Sequence, residues 1–336
     1  MKNKVKEYRL KRGLSQEELA KLCGMPRSTL SAIESGRAVP SVEYAIKLSK
    51  ALGCTVEELF GEEEKLIFCG LVDGPFVSAR VGEKLVIYPM DARVLTLLPP
   101  DGTLKEGKIE WFNKSPLPTY VFAGCDTSFG LLSYELVSEG VRTVAVYASS
   151  LKALRLLKDG YVHMAGVHLG SFEENLREIK DFLGSGYAVI RLFSWEEGVL
   201  TRKDAEIKSF KDLKNRKLVW LVREEGSGSR KAFEEIKKEV KAELFREVEG
   251  GHRELAFSIK NAFGDAGIGT RLFACEYGLE FLSVRREDYC LCYREELEED
   301  KAFTKVLSAL ISGRYREFLK AMPGYSVEKS LEKVLL

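Results

Sequence analysis

Apolar and polar positions recur with three different periods along the chain, and each period predicts its own kind of structure. Over residues 1–61 the apolar positions follow helical spacing in short runs broken by Gly and Pro, which predicts a set of short helices. A first helix is expected from about Lys2 to Arg12. Ser15 and Glu18 form an S-x-x-E capping box that opens a second helix, with Leu19 and Leu22 facing inward, and Gly24 ends it. Pro26 fits the first turn of a third helix reaching about Ser35. Pro40 and Ser41 introduce a fourth, Val42 to Leu52, and Thr55 caps a last turn ending at Leu59-Phe60. The run Gly61–Lys65, "GEEEK", reads as a domain boundary.

Residues 62–117 change to strict alternation. "FVSARVGEKLVIYPM" (Phe76–Met90) predicts a hairpin turning at Gly82-Glu83, and "PPDGTLKEGKIEWF" (Pro99–Phe112) predicts another strand pair or an edge. From residue 118 to 336 strands and helices alternate. "TYVFAG", "TVAVYA", "VHMAGVHL", "YAVIRLFSW" and "KLVWLV" read as strands with helices between them. A charged helix is expected to run to about Phe245, followed by a helix over "HRELAFSIKNAFG" and a short strand at "DAGIGT". "LEFLSV" and "DYCLCYR" read as two separate strands, and the tail from Glu298 as helical. This alternation predicts a parallel α/β fold, whose ligands bind at the carboxyl ends of the strands. The expected architecture is therefore an all-α first domain (1–61), a β-rich connecting segment (62–117) and an α/β domain (118–336).

Charge sharpens this division. The chain of 336 residues has a net charge of +1. Residues 1–61 carry eleven Lys/Arg against seven Glu and no Asp, a surplus of four positive charges, so the remainder is slightly acidic. A basic first domain on an acidic body predicts an anionic partner for the first domain only. The seven Cys include no C-x-x-C pair, and Cys290-Leu-Cys292 has no further ligand nearby in sequence, so no metal site and no cofactor is expected and the thiols read as buried and reduced. The N-terminal segment has no apolar run behind its charges and no stretch reaches the length of a membrane span. A soluble cytoplasmic protein without a membrane partner is expected.

The strand ends supply the candidate chemistry. "WLVREEGSGSRKAFEEI" (Trp220–Ile236) reads as a strand, a Gly-Ser loop and a helix, a natural seat for an anion because backbone N–H groups and the positive end of the helix point into it. Ser227, Gly228 and Ser229 are its prime positions, since two glycines beside two serines are hard to explain by packing alone. Asp126-Thr127 and Ser149-Ser150 stand at equivalent junctions, and His168 follows another strand. Arg223 or Arg230 would add a charge-assisted bond, and Asp265 would form a further wall. Simpler roles stay open: Asp126 as a helix cap that would repel a dianion, Asp265 as an orienting acid, Ser149 as a cap, Arg230 as a solvated side chain. His163 and His252 read as structural. No nucleophile–base pair is visible, so no enzyme is expected.

Two resemblances add to these readings. "SQEELAKLCGMPRSTLSAIESGRAVPSVEYAIKLSKALGCTVEELF" resembles the Xre/Cro/CI class of helix-turn-helix regulators over residues 3–60. The resemblance implies base contacts from Arg27, Ser28, Thr29 and Ser31, phosphate contacts from Gln16 and Arg37, a Glu34–Arg9 pair, and homodimers on paired half-sites of double-stranded DNA. "FAGCDTSFGLL", "SSLKALRLLKDGYVHMAGVHL", "REEGSGSR" and "AFGDAGIGTRLFACEYGLEFL" resemble the periplasmic-binding-protein-like domain associated with molybdate, over residues 119–293. The segment before it resembles the part that precedes this domain in fused regulators. The implied function is a one-component transcriptional regulator that senses a small oxyanion, molybdate or tungstate before sulfate or phosphate. The alternatives are a molybdenum-cofactor binding or insertion protein, and a regulator whose body only dimerises.

Overall fold

The computed structural model describes residues 3–60, 65–68, 73–90, 94–95, 98–113 and 116–336. The chain divides into two compact units, Met1–Lys65 and Leu66–Leu336. Residues 61–64 of the expected boundary run lie outside the described residues.

The first unit is built from five helices: α1 (Val5–Lys11), α2 (Gln16–Cys23), α3 (Arg27–Glu34), α4 (Val42–Leu52) and α5 (Val56–Phe60). The capping box forms as the spacing predicts. Ser15 Oγ accepts from the Glu18 N–H at 3.2 Å, and Glu18 Oε2 accepts from the Ser15 N–H at 2.7 Å. Gly24 ends α2 in the left-handed conformation, φ 62°, which costs a residue without Cβ nothing. Leu19, Ala20, Cys23, Leu30, Ile33, Leu48 and Leu52 fill the core. Leu22 does not: it is 64% exposed, and one step further along the helix Cys23 takes the inner position. Beneath the core the Arg9 guanidinium clamps Glu34, with Nε to Oε1 at 2.6 Å and Nη2 to Oε2 at 3.2 Å, and its Nη1 donates to the Leu14 carbonyl at 2.7 Å. Only 8% and 3% of the two side chains remain exposed, so each charge depends on the other for its solvation.

A five-stranded sheet follows in the order β1-β3-β2-β5-β6, antiparallel at β3-β2, β2-β5 and β5-β6. Its strands are β1 (Lys65–Phe68), β2 (Gly74–Val81), β3 (Lys84–Pro89), β5 (Gly102–Lys105) and β6 (Lys108–Trp111); β4 (Val94–Leu95) joins the larger sheet instead. The predicted hairpin is present, and the second run forms a strand pair as well. Glu106 (φ 51°) and Gly107 (φ 74°) make the two-residue loop of the second, with the left-handed pair that matches strand twist. The small sheet is fastened to the body by buried polar bonds. Arg142 forks onto both Asp101 oxygens at 2.7 and 2.8 Å, and Asp101 also accepts from the Ser78 N–H at 2.8 Å and hydroxyl at 2.9 Å. His163 accepts from the Val121 N–H at Nδ1, 3.0 Å, and its Nε2 lies 2.9 Å from the Arg80 carbonyl. That geometry makes the ring neutral, with the proton on Nε2.

The body has two lobes. In the first, β7 (Thr119–Gly124), β8 (Arg142–Tyr147) and β9 (Met164–Val167) run parallel, covered by α6 (Leu132–Ser138), α7 (Ser150–Lys158) and α8 (Phe172–Leu183). Two 15-residue strands, β10 (Tyr187–Thr201) and β14 (Glu280–Arg294), pair antiparallel along their whole length and carry the sheet into the second lobe. There β11 (Val219–Val222), β12 (Leu244–Glu247) and β13 (Ala266–Thr270) run parallel to one another, with α9 (Phe210–Lys214), α10 (Gly228–Ile236), α11 (His252–Lys260) and α12 (Arg271–Tyr277). The tail holds α13 (Lys301–Leu310), α14 (Gly313–Ala321), β15 (Tyr325–Ser326) and β16 (Lys333–Leu335), the last two returning to pair with β10.

Four expectations need correction. The charged helix stops at Ile236, and residues 244–247 form an exposed edge strand. The strand at "YAVIRLFSW" continues through Glu196-Glu197 to Thr201. "LEFLSV" and "DYCLCYR" are one strand, with Arg285-Arg286-Glu287 inside it. The tail is helical only to Ala321.

Two outcomes are expected. Arg9→Leu should destabilise residues 3–60 by about 3–5 kcal/mol, because Glu34 is left charged and buried, whereas Arg9→Leu with Glu34→Leu should recover much of the loss. Amide hydrogen exchange of this unit in the full chain measures both. The second concerns acid. Burial lowers the His163 pKa to about 4. The unfolded ring takes up its proton near 6.5. The neutral ring therefore contributes stability in full above about pH 6.5, and that contribution falls as pH drops to about 4, on the order of 3 kcal/mol in total. His163→Gln, which keeps one acceptor and one donor, should remove that part of the acid slope in denaturant titrations at pH 4 to 7.

Candidate functional site

The parallel strands of both lobes point their carboxyl ends at one cleft, and the residues that follow them line it. Cys125 follows β7, Ser149 follows β8 and His168 follows β9; Arg223 follows β11, and His252 opens α11 after β12. The lobes are closed on each other. Lys231 Nζ donates to the Leu169 carbonyl at 2.7 Å, the Leu151 N–H to the Gly226 carbonyl at 3.3 Å, and the Tyr147 hydroxyl to the Gly250 carbonyl at 3.2 Å. Gly228 meets the backbone of His168 so closely that an added Cβ would lie 2.3 Å from the His168 carbonyl oxygen.

One end of the cleft is rich in donors. Arg223 is 1% exposed; its Nε and Nη2 donate to the Glu224 carboxylate at 2.9 and 3.0 Å, and Nη2 also to the Tyr147 hydroxyl at 2.6 Å. Three helix N-termini meet this group. Ser149 is the N-cap of α7, whose Leu151 N–H reaches the Gly226 carbonyl two residues beyond Glu224. Ser227, the N-cap of α10, donates to the Glu224 carbonyl at 2.8 Å and accepts from the Arg230 N–H at 3.2 Å. Gly251, the N-cap of α11, packs against the Tyr147 ring. Although burial works against its charge, Glu224 is held below the usual carboxylate range by Arg223.

The other end is a buried network. His168 Nδ1 bonds Glu287 at 2.7 Å and its Nε2 lies 3.0 Å from Cys125 Sγ. Burial opposes a charge on this ring, yet the Cys125 sulfur and the Glu287 carboxylate hold its pKa well above the usual value. Ser229 Oγ donates to Glu197 at 2.8 Å and lies 3.4 Å from His252 Nδ1. Glu197 and Glu287 are both fully buried, and Arg285 bonds both, with its Nη2 also donating to the Gly228 carbonyl at 3.1 Å. Burial and the neighbouring Glu287 charge push Glu197 up to about 7. Burial likewise drives the His252 pKa well down, and its Nε2 has no hydrogen-bond partner among the described residues.

Several expected residues come together here. Ser149, Ser150, His168, Arg223, Ser227, Gly228 and Ser229 all lie in the cleft, Ser150 through its hydroxyl, which accepts from the His168 N–H at 3.1 Å. Others do not. Asp265 precedes β13, so it sits at the amino end of the parallel strands beside Val219, whose N–H it accepts at 2.9 Å, and it faces Arg202 instead of the cleft. Asp126 turns away toward the tail, accepting from the Tyr325 hydroxyl at 2.8 Å and from Ser128. Thr127 makes no capping bond. Arg230 pairs with Glu234 at 2.9 Å and, with Lys231, lines an outer groove of about 270 Å³ at the lobe junction. Cys125, Glu197, His252, Arg285 and Glu287 were not expected at the site. Glu197 and Arg285–Glu287 sit in charged stretches, and no linear spacing links Cys125 to His252.

In the first unit, Arg27 and Ser28 at the start of α3 are exposed, Thr29 and Ser31 are half-buried, and Leu30 and Ile33 face the core. Gln16 donates to Glu34 at 2.8 Å, and Arg37 donates to Ser35 Oγ at 2.9 Å.

Comparison with known proteins agrees with this two-part construction. Residues 134–311, more than half of the chain, match the PBP superfamily domain, and residues 5–59 match the helix-turn-helix family. The uncharacterized HTH-type transcriptional regulator YgzD of Bacillus subtilis is 48% identical over 65 residues, 19% of this chain and 98% of that protein. MJ0272 of Methanocaldococcus jannaschii, also an uncharacterized HTH-type transcriptional regulator, is 45% identical over 64 residues, 19% of this chain and 97% of that protein. Among solved structures, a putative phosphate ABC transporter substrate-binding protein with bound phosphate from Clostridium perfringens is 12% identical, with a TM-score of 0.48 over 62% of this chain and 100% of that one. The tungstate ABC transporter from Geobacter sulfurreducens is 13% identical, with a TM-score of 0.46 over 60% of this chain and 97% of that one. Among the described residues, no helix is long and apolar enough to cross a membrane. The chain belongs to the PBP superfamily through its larger unit and to the HTH-type transcriptional regulators through its smaller one: it is a transcriptional regulator with a PBP-like ligand-binding domain.

Proposed function

We propose that this is a cytoplasmic one-component regulator whose larger unit closes on a small oxyanion, molybdate or tungstate, and whose helix-turn-helix units bind paired DNA half-sites as a homodimer. The observation that carries the ligand class is the meeting of the α7, α10 and α11 N-termini around the buried Arg223 guanidinium. Neutral donors, helix dipoles and one buried cation are what a desolvated oxyanion requires. The Glu224 carboxylate now occupies Arg223, as an oxyanion group would. A ligand therefore has to displace it, and the exchange of an internal anion for an external one is the differential interaction that biases the lobes. Coupling of that kind typically amounts to ~1–3 kcal/mol, about 5–150-fold in affinity. The choice of molybdate or tungstate over sulfate and phosphate follows the resemblance of the four sequence runs to the molybdate-associated domain.

Chelator-treated full-length protein should gain thermal stability with molybdate or tungstate, by ~2.7 kcal/mol at a hundredfold excess over the dissociation constant, and much less with sulfate or phosphate. Arg223→Gln should abolish the shift. Gly228→Ala should weaken it at least about tenfold, because the new methyl holds α10 off His168. No shift with any of the four anions defeats the oxyanion reading and favours a body that only dimerises.

For the DNA-reading unit, Arg27, Ser28, Thr29 and Ser31 stand at the start of α3 for base contacts, with Gln16 and Arg37 on the flanking phosphates. An operator selected in vitro from random duplexes should bind Arg27→Ala about 1–3 kcal/mol more weakly, with selectivity relaxed at one base pair in each half-site. An unchanged footprint removes Arg27 from the reading set.

A further inference from the structure

The buried end of the cleft holds a group of residues that the oxyanion reading does not use. Cys125, His168 and His252 each bring a potential metal-ligating atom within 4.8 Å of the other two, and all three residues are buried. The chain contains only three histidines, and two of them converge on one cysteine. The third, His163, has both ring nitrogens engaged by Val121 and Arg80.

The hydrogen bonds around these residues are those of a ligand set. His168 gives its Nδ1 to the Glu287 carboxylate, which leaves Nε2 facing Cys125 Sγ. His252 has its Nδ1 toward Ser229, itself bonded to Glu197, and its Nε2 is buried without a partner. Each histidine thus has one nitrogen turned toward a carboxylate, directly or through a hydroxyl, and the other nitrogen remaining. That is the outer-shell pattern that fixes the tautomer and orientation of metal-binding histidines. An unsatisfied imidazole nitrogen in a site 2% exposed is costly, and a cation removes the cost. Zinc–nitrogen and zinc–sulfur bonds of about 2.0–2.3 Å at a tetrahedral angle set the two ligand atoms about 3.5 Å apart, so the present 3.0 Å between Cys125 Sγ and His168 Nε2 needs to open by about half an ångström. The neighbouring set of His168, Glu197 and Glu287 is already neutralised by Arg285.

We propose that Cys125, His168 and His252 form a three-ligand site for a thiophilic transition-metal ion of the zinc(II) or copper(I) class. One thiolate and two imidazoles select against magnesium and calcium, and three protein ligands leave a position open, as in exchangeable rather than closed structural sites. The site is divided between the lobes. Cys125 and His168 follow strands of the first, and His252 opens a helix of the second. An ion bound there ties the lobes together, which makes metal occupancy an input to the same closure that the oxyanion drives. The inference stands on residues other than Arg223 and Glu224.

The test is a cobalt(II) titration of the full-length, chelator-treated, reduced protein, with zinc competition. The expected result is one ion per chain, tetrahedral d–d bands, and a thiolate-to-cobalt charge-transfer band in the near ultraviolet that zinc abolishes. Cys125→Ser should lose the charge-transfer band. His252→Gln, which gives up an unpartnered nitrogen and so spares the fold, should bind at least about tenfold more weakly. His163→Gln should bind as the parent does. Absence of the band in the parent overturns the site, as does a band that persists in Cys125→Ser or parental affinity in His252→Gln. The anion titration is run on metal-free protein, so either reading fails without the other.

Discussion

Burying two carboxylates on the pair of strands that joins the lobes is the constraint around which the larger unit is arranged. Glu197 on β10 and Glu287 on β14 are both fully buried where the sheet passes from one lobe to the other. An unpaired buried charge costs several kcal/mol, far more than the 0.3–1 kcal/mol that a helix dipole contributes at a surface. Their neutralisation therefore governs the geometry. Arg285, on the same strand as Glu287, bonds both acids. The remaining partners come from opposite sides: His168 from the first lobe for Glu287, and Ser229 from the second for Glu197. Full satisfaction of the crossing charges requires both lobes to be in place, so the closed arrangement is built into the strands themselves.

The closure also explains the glycine-serine loop. Gly228 is the first residue of α10, where alanine would ordinarily favour the helix. It is glycine because the helix N-terminus must approach His168 to within van der Waals contact of the backbone. The two serines beside it are committed as well, Ser227 to the cap and Ser229 to Glu197. The loop is thus both a helix cap and a lobe contact, and its chemistry cannot be separated from the closed state.

Much of this was legible in the sequence, for identifiable reasons. The helix-turn-helix frame depends on local signals, a capping box at Ser15 and Glu18 and a left-handed Gly24, and it forms accordingly. The rule that chemistry gathers at the carboxyl ends of parallel strands points to Ser149, His168 and Arg223, and all three line the cleft. Asp265 was misplaced because "GDAGIG" puts it before its strand, at the other end of the sheet. The buried acids were illegible because "SWEEG" and "VRRED" carry the charge density of a solvated surface, and only the tertiary pairing of β10 with β14 buries them. The convergence of Cys125 and His252 was hidden for the same reason: they belong to different lobes and share no sequence interval that a motif could mark.

The cleft that results has two chemically opposite ends. Around Arg223, three helix N-termini and a buried guanidinium present hydrogen-bond donors. Around His168, a thiol, two imidazoles and two carboxylates gather, and Arg285 bonds both acids. Arg223 also depresses the pKa of His252, after burial, which keeps that ring neutral and its nitrogen available as an acceptor. The separation follows from the fold. Helices begin at the cleft and bring partial positive charge, whereas the crossing strands pass beneath it and bring carboxylates. A two-lobed sensor on this plan has a polar axis across its binding site, and any ligand that stabilises closure must match the sign of the end it occupies.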